Sequence, residues 1–421
     1  MVKLNKRLSS VAVAIALASM ASTAGAGGFG IGTQSGSGTG NAFAGGAAVA
    51  DDASVAWSNP AAMTALPAGK QITGAAHILV PSFKFTNTGS TGVYAAPGTG
   101  EGGDGGSLAV VPNFYYTMDI DPKLRFGFAV NVPFGLSTEW DPGWRGQIVA
   151  LESAIKTINL NPSLAYKVSD KVSIGGGISL QKIEAKLTRF TGAGATGNVA
   201  MEAEDIGFGF NLGYFMQATP STRIGATYRS QVAYHLEGTA VFSGPAGAAA
   251  SGNVRADLRV PDSTSLSIFS AIDSKWEVMA DMTYTGWSNV KRLDVVRTSG
   301  PAAGAVLTTE VFNWKDTLRL GVGANYKMND QTKLRFGLAF DPTPSNDIDR
   351  TARLPDQDRT WVAFGVQYKP TKEGTVEVGY AHEFVKDSTI SATPLAPAGG
   401  RLNGTFNSKA DILSVQYSHR F

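Results

Sequence analysis

The 421-residue sequence contains no cysteine, and this absence excludes both a disulfide framework and a thiolate metal site. No run of about 18 apolar residues occurs, so no segment of the chain is suited to crossing a bilayer as a helix. The Gly-x-Ser-x-Gly motif of serine hydrolases is missing. Four histidines lack the spacing of a zinc site: His77, His235, His382 and His419. We therefore expect no enzyme, no catalytic residue, no metal and no cofactor.

Residues 1–26 have the three parts of a secretory signal peptide. Basic residues are followed by an apolar stretch and then by small residues, at Lys3, Lys6 and Arg7, at 11–18, and at Ala24-Gly25-Ala26. Cleavage after Ala26 would make Gly27 the first residue of the mature chain. The signal contains three basic residues and no acidic one, which leaves 33 basic and 34 acidic residues. This balance gives no reason to expect a nucleic-acid partner.

Alternating apolar and polar residues recur along the chain at the length of a tilted barrel strand, about 9–11 residues. The last such stretch places Leu413, Val415 and Tyr417 between polar residues and ends at Phe421. An exported chain with this end resembles outer-membrane barrels, in which the C-terminal strand is read by the barrel-assembly machinery. A soluble β-sandwich would show the same alternation, so this pattern alone does not choose between the two folds.

The connections favour a barrel. Six are short and rich in turn formers, at 119–122, 169–171, 219–222, 273–275, 329–332 and 370–374. Seven are longer, at 86–107, 134–154, 189–203, 237–260, 289–311, 342–358 and 386–408. Because short and long connections alternate strictly, residues 70–421 are predicted to form a 14-stranded antiparallel transmembrane β-barrel of the outer membrane. Its surroundings would be outer-membrane lipid and lipopolysaccharide.

A barrel of this size needs something in its lumen, because about sixteen strands already leave an aqueous channel. Residues 27–69 precede the first expected strand, at 70–85, and are rich in glycine and alanine. We interpret this segment as a plug inside the barrel. A disordered periplasmic tail is the alternative, and composition does not decide between them.

The plug segment contains Asp52 and Ser54, followed by the triplet Asn59-Pro60-Ala61. Further motifs follow in order along the mature chain, at 133–138, 144–145, 159–166, 314–316, 340–342 and 354–361. Together these motifs resemble the outer-membrane FadL/TodX family, which transports long-chain fatty acids and aromatic hydrocarbons, and the triplet resembles the family's hatch signature. Val55 and Ala62 stand where the hatch more often has threonine and glycine.

The resemblance implies capture of a hydrophobic ligand at an outer groove, transfer to an apolar pocket, and release after the hatch moves. Release would be sideways, where the third strand kinks. Here that strand is about 124–133, and Gly127, Pro133 and Gly135 would weaken its pairing. Alternatively, Pro133 merely ends the strand.

A fatty-acid carboxylate inside the lumen would need a cation or several donors. Lys315 and Arg319 are the first candidates, and Lys186 and Arg189 the second; a solvated lumen charge network is the alternative for each. The capture groove could be formed by Phe134, Leu136, Trp140 and Trp144, whose alternative role is packing of the loop.

Other functions remain open. An alkane or monoaromatic ligand would need no cation, and a structural barrel would need no ordered hatch. The plug, together with small, uncharged lumen positions, argues against a general porin. Four aspartates could bind Ca²⁺, although a solvated acidic loop explains them as well: Asp347, Asp349, Asp356 and Asp358. The resemblance implies a monomer.

Overall fold

The computed structural model describes residues 27–96, 98–191, 197–244, 247–392 and 399–421. The expected signal peptide at 1–26 lies outside this part of the chain. No helix in the described ranges is long and apolar enough to cross a membrane.

Fourteen long strands form one closed antiparallel sheet within the described residues. They are β1 Lys70–Asn87, β2 Ala109–Asp119, β3 Leu124–Asn131, β4 Glu152–Lys167, β5 Val172–Phe190, β6 Asn198–Gln217, β7 Thr222–Arg229 with Val232–Phe242, β8 Gly252–Val260 with Ser263–Ala271, β9 Trp276–Thr285, β10 Thr317–Lys327, β11 Thr332–Asp341, β12 Arg359–Tyr368, β13 Gly374–Val385 and β14 Gly400–Arg420. Each strand pairs with the next, and β1 pairs with β14 from Gln71 opposite Arg420 to Asn87 opposite Gly404. The closed ring confirms the predicted 14-stranded barrel.

Alternation along each strand separates an outer apolar face from an inner face. On β10, Leu318, Leu320 and Val322 point outward and are 46%, 47% and 55% exposed. Their neighbour Arg319 points inward and is largely covered. Exposed aliphatic side chains repeated around the ring are what a bilayer-facing surface requires, because water would disfavour them.

Several strands run farther past the long-connection end than predicted. β5 continues to Phe190 and β6 begins at Asn198, although 189–203 was expected to be a connection. The outer face here is charged: Lys182 pairs with Glu184 at 2.9 Å and with Glu204 at 2.8 Å. An apolar stripe therefore stops where the strands leave the bilayer, while the backbone pairing continues.

Short elements complete the connections. The additional strands are Thr91–Gly92, Gly135–Glu139, Arg292–Arg297, Val306–Val311 and Ser388–Ala392. The helical turns outside the barrel wall are Val93–Ala95, Gly247–Ala250 and Trp287–Asn289. Arg292–Arg297 and Val306–Val311 pair as a hairpin within the expected connection at 289–311.

Residues 27–69, here called the N-terminal segment, contact inner-facing residues of strands all around the ring. The segment contains helices α1 (Gly36–Thr39) and α2 (Val55–Ser58) and a 3₁₀ turn at Pro60–Ala65. Glycines in the wall make room for it. A Cβ atom on Gly225 of β7 would lie 1.9 Å from the Ala47 carbonyl oxygen, so the backbones approach more closely than any side chain permits.

Candidate functional site

A cavity of about 320 Å³ lies between the N-terminal segment and the inner wall of the barrel. Its aromatic lining comes from both sides, with Phe43 and Trp57 from the segment and Phe134, Trp287 and Trp361 from the wall and its connections. Arg229, Arg319 and Arg335 add three guanidinium groups. The cavity thus combines the two requirements for an amphiphile, an apolar surface and nearby hydrogen-bond donors.

Asn59 fixes the turn between α2 and the 3₁₀ helix. Its buried side-chain amide donates to the Ala47 carbonyl (2.7 Å) and to the Tyr214 carbonyl on β6 (3.0 Å). Its side-chain oxygen accepts from the Ala61 amide at 3.1 Å. Pro60 occupies the first position of the 3₁₀ helix, where no backbone donor is needed. One side chain therefore joins two parts of the segment to the wall.

Asp52 forms a second attachment. It accepts from Ser37 at 2.8 Å, from Gln416 of β14 at 2.9 Å and, through its other oxygen, from the Ser54 amide at 2.8 Å. These bonds tie α1 and the start of α2 to the last strand. The predicted hatch residues Asp52, Ser54, Asn59, Pro60 and Ala61 are therefore close together in the structure.

The lumen is charged, and the expectation of small, uncharged lumen positions was wrong. Arg335 is 1% exposed and donates to Glu377 at 2.8 Å and to Asp51 of the segment at 3.0 Å. Lys333 bridges Asp51 (3.6 Å) and Glu277 (3.1 Å). Each of these buried charges therefore has a partner of opposite charge. The strand residues among them occupy inward-facing positions between the glycines and serines that dominated the sequence pattern.

Of the four cations predicted for a headgroup, only Arg319 lines the cavity. Its guanidinium donates to the Ala42 carbonyl, lies 3.6 Å from Asp281 and sits 5.8 Å from the Trp361 ring centre. Lys315 is exposed in the connection before β10. Lys186 points outward and pairs with Glu152 at 2.7 Å.

The fourth, Arg189, lies near the end of β5 and donates to the Phe190 carbonyl at 3.3 Å. It is not among the cavity-lining residues. The predicted group of four cations therefore does not form one site.

Sequence reasoning missed Arg229, which ends the first half of β7. Its guanidinium carbon lies 3.3 Å from the ring centre of Trp57, and it donates to the Trp57 carbonyl (3.0 Å) and weakly to Ser179 (3.4 Å). No carboxylate of the described residues forms an ion pair with it, unlike Arg319 and Arg335. Its inward register was a usable signal, but only the structure shows that the cavity lies there.

The third strand is interrupted around Pro133. β3 ends at Asn131 and pairing with β4 resumes at Gly135–Glu139, so Pro133 lies in the break. The ladder between β2 and β3 stops at the Phe114–Val130 pair, and a single bridge joins Gly106 to Thr138 beyond it. We call the stretch between these two pairs the wall gap.

The N-terminal segment covers the wall gap from inside. The Ile31 amide donates to the Pro133 carbonyl and the Gly135 amide donates to the Phe29 carbonyl, both at 2.8 Å. Gly127 is outside the break and has another role: a Cβ there would lie 2.3 Å from the Met63 sulfur. It provides space for the segment and does not interrupt the strand.

Trp140 and Trp144 form the centre of a buried loop cluster. Their rings stack at 4.6 Å, they are 2% and 1% exposed, and Trp140 donates to the Ala352 carbonyl at 3.0 Å. Burial in the same cluster raises the pKa of Tyr94 to about 12. In this structure the two tryptophans hold the outer connections together and do not line an open groove.

The remaining groove candidates lie elsewhere. Phe134 faces the lumen cavity, and Leu136 lines a separate cavity of about 30 Å³ beside the wall gap, together with Pro81 and Phe83.

The four aspartates of the outer connections form ion pairs or hydrogen bonds with other residues of the protein. Asp347 pairs with Arg350, Asp349 accepts from Asn313, Asp356 accepts from Thr343, and Asp358 accepts from the Thr343 amide. Among the described residues no group of His, Cys, Asp and Glu is arranged to hold a metal ion.

Comparison with known proteins gives a family match over nearly the whole chain. Residues 17–421 match the family model described as outer membrane protein transport protein (OMPP1/FadL/TodX). Outer membrane protein P1 of Haemophilus influenzae is 29% identical, with 90% of each chain covered. The long-chain fatty acid transport protein of Escherichia coli K12 is 28% identical, covering 84% of this chain and 86% of that one.

Solved structures have the same fold. A FadL homologue of Pseudomonas aeruginosa superposes with a TM-score of 0.86 at 25% identity, covering 94% of this chain and all of that one. The toluene transporter TodX of P. putida gives a TM-score of 0.66 at 17% identity, covering 91% and 98%.

Proposed function

Because the chain belongs to the OMPP1/FadL/TodX family of outer-membrane transport proteins of hydrophobic compounds, we propose that it carries long-chain fatty acids into the cell. The observation that supports this most directly is the lumen cavity, which places an aromatic surface beside Arg229, a guanidinium that forms no ion pair with any carboxylate in the part of the chain that the structure describes. An alkyl chain gains free energy on leaving water for such a surface, and a carboxylate gains a charge-assisted hydrogen bond.

Arg229 and Arg319 differ as partners for the carboxylate. Arg319 already faces Asp281, whereas Arg229 is stacked on Trp57 and forms no ion pair with a described carboxylate. A carboxylate beside Arg229 would add the missing counter-charge. We therefore assign the headgroup to Arg229, with Arg319 second. Lys315, Lys186 and Arg189 are left as structural or solvated charges.

The proposed path of the ligand runs from the outer connections through the cavity to the wall gap. Ligand enters from the outer connections, occupies the cavity, and leaves sideways through the wall gap when Phe29 and Ile31 detach from the edge of β3. Such a route keeps an apolar solute out of bulk water. The N-terminal segment is the hatch in this scheme, and no catalytic step is involved.

An aromatic hydrocarbon is the second candidate ligand. The aromatic side chains of the cavity suit such a solute, which needs no cation, and one solved structure with the same fold is a toluene transporter. For this ligand Arg229 would serve only to hold Trp57.

Uptake of labelled oleate and toluene, by cells that lack their own transporter, distinguishes these ligands. We expect Arg229→Gln to lower oleate uptake about tenfold, the loss of roughly one charge-assisted hydrogen bond, while toluene uptake is unchanged. Arg255→Gln, an exposed arginine on the outer face of β8, is the matched control. Equal oleate uptake by Arg229→Gln and the wild-type chain, at equal surface levels, would exclude Arg229 as the headgroup site.

The outer surface of the barrel and its C-terminal residue would contact other components of the outer membrane. The outward apolar band would contact outer-membrane lipid, and the charged strand ends above it would contact lipopolysaccharide. Phe421 would be read by the barrel-assembly machinery, and the protein would act as a monomer.

A further inference from the structure

An asparagine with an unpartnered side-chain nitrogen lies directly opposite Arg229 on the inner wall. Asn211 of β6 and Arg229 of β7 are paired in the sheet, and both line the lumen cavity. Opposite residues of neighbouring antiparallel strands have Cβ atoms about 4.5–5.5 Å apart. Asn211 is 2% exposed, and its Nδ2 atom has no hydrogen-bond partner in the residues that the structure describes. A buried amide group of this kind needs an acceptor.

Neighbouring contacts fix which end of the Asn211 amide is the donor. The Asn161 side-chain nitrogen on β4 donates to the Ile178 carbonyl at 2.7 Å, and a carbonyl only accepts, so this atom is the nitrogen of the amide. The same nitrogen donates to Asn211 Oδ1 at 3.0 Å. Gly177 of β5 leaves room for this oxygen, since a Cβ there would lie 2.8 Å from it. The oxygen of Asn211 is therefore held by Asn161, and its NH2 group is left for another partner.

Arg229 bonds in this structure only to acceptors that carry no charge. The Trp57 ring covers one face of its guanidinium, with 3.3 Å between the guanidinium carbon and the ring centre. The five N–H groups of a guanidinium lie in its plane, so a ring on one face does not block them. Two of them donate to the Trp57 carbonyl at 3.0 Å and weakly to Ser179 at 3.4 Å. These contacts hold the side chain in place but supply no counter-charge.

The two residues together suit a group with one negative charge and two acceptor atoms. A carboxylate can accept from Arg229 with one oxygen and from Asn211 with the other, which supplies the counter-charge and the missing acceptor at once. An alcohol supplies an acceptor without a charge, and a hydrocarbon supplies neither. Either of these ligands would leave the buried guanidinium uncompensated, and a site built to hydrogen-bond a ligand group rejects the analogue that lacks it.

We propose that Asn211 is a specificity-determining residue of the headgroup site and that, together with Arg229, it selects carboxylates over neutral ligands of the same chain length. The inference rests on the proposed function, because it places the fatty-acid headgroup beside Arg229. It goes further by assigning the second carboxylate oxygen to a side chain without charge. No covalent bond is made or broken, since the carboxylate exchanges hydrogen bonds with water for hydrogen bonds with the two side chains.

The test compares the binding of labelled oleate and labelled oleyl alcohol to purified protein, at one micelle concentration and at a pH where oleate is ionised. The two ligands have the same alkyl chain, so the ratio of their dissociation constants reports the headgroup alone. We expect the wild-type protein to bind oleate at least about tenfold more tightly. Both ligands are measured on the same preparation, so an inactive fraction does not change the ratio.

Two substitutions of Asn211 remove the donor in different ways. Asn211→Asp keeps the side-chain shape and places a carboxylate opposite Arg229, so it should abolish the preference for oleate and leave the binding of oleyl alcohol unchanged. Asn211→Leu removes the donor without adding a charge and should weaken oleate binding about tenfold. Asn253→Asp, at an exposed position of β8, is the matched control and should keep the wild-type ratio.

Arg229→Gln separates this inference from the proposed function. If Arg229→Gln loses the preference for oleate and Asn211→Leu keeps the wild-type ratio, Asn211 is excluded as a donor while the headgroup site at Arg229 stands. This holds whatever Asn211→Asp shows, including a failure to fold. If Arg229→Gln also keeps the preference, or if the wild-type protein shows none, the headgroup site and the role of Asn211 are both wrong.

Discussion

At the scale of single residues, the side chains that attach the N-terminal segment do so through few, buried contacts. Asn59 joins Ala47, Ala61 and Tyr214, and Asp52 joins Ser37 to Gln416. The bonds of Asn59 to Tyr214 and of Asp52 to Gln416 join the segment to strands that are distant in sequence. A change at one of these residues should loosen the segment while the wall, which has its own ladder of backbone bonds, stays closed.

Asn59→Ala tests this separation. The change removes the donor to two carbonyls, and a buried carbonyl left without a donor costs about 1–3 kcal/mol. We expect faster hydrogen exchange in residues 47–66, altered oleate uptake, and unchanged heat-modifiable mobility of the barrel. Asn253→Ala, at an exposed position of β8, is the control. Exchange at the wild-type rate in 47–66 would mean that Asn59 does not hold the segment.

At the scale of elements, the bilayer-facing strands were predictable and the cavity was not. An apolar stripe such as Leu318 to Val322 reports contact with lipid, so the strands and their order follow from it. The stripe ends where β5 and β6 leave the bilayer, which is why their outer parts were assigned to connections. The sequence could not show that Arg229 lines the cavity and Lys315 does not. Which cation reaches the cavity depends on the stagger of the strands and on the fold of the N-terminal segment.

The close approach of that segment to β7 is testable with a single methyl group. In Gly225→Ala the new Cβ would lie 1.9 Å from the Ala47 carbonyl, so the segment must move, and overpacking of this kind costs about 1–3 kcal/mol. We expect higher ion conductance in planar bilayers. Gly74→Ala on β1, where no atom lies within 4 Å of the added Cβ, should conduct like the wild-type protein. Equal conductance of both variants would show that the segment does not seal the lumen.

At the scale of the whole molecule, the barrel wall is interrupted at one place, and the N-terminal segment bonds to the wall there. The wall opens between the Phe114–Val130 pair and the Gly106–Thr138 bridge, and there Phe29 and Ile31 of the segment bond to Gly135 and Pro133, just beyond the end of β3. A barrel normally gains stability by leaving no edge unpaired. Here one edge is paired with a part of the chain that lies inside the lumen, so the proposed opening would not require the sheet to unfold.

A disulfide across the wall gap tests whether ligand leaves there. Ser107 and Ser137 face each other across the gap with 2.7 Å between their hydroxyl oxygens, and the chain has no native cysteine to interfere. With Ser107→Cys and Ser137→Cys, we expect oxidation to slow oleate uptake severalfold and reduction to restore it, because the gap can no longer widen. Thr73→Cys with Ser418→Cys links the continuous pair β1 and β14, whose hydroxyls are 2.9 Å apart, and should be insensitive to oxidation. If neither disulfide changes uptake, the ligand crosses the wall elsewhere or leaves through the short-turn end of the barrel.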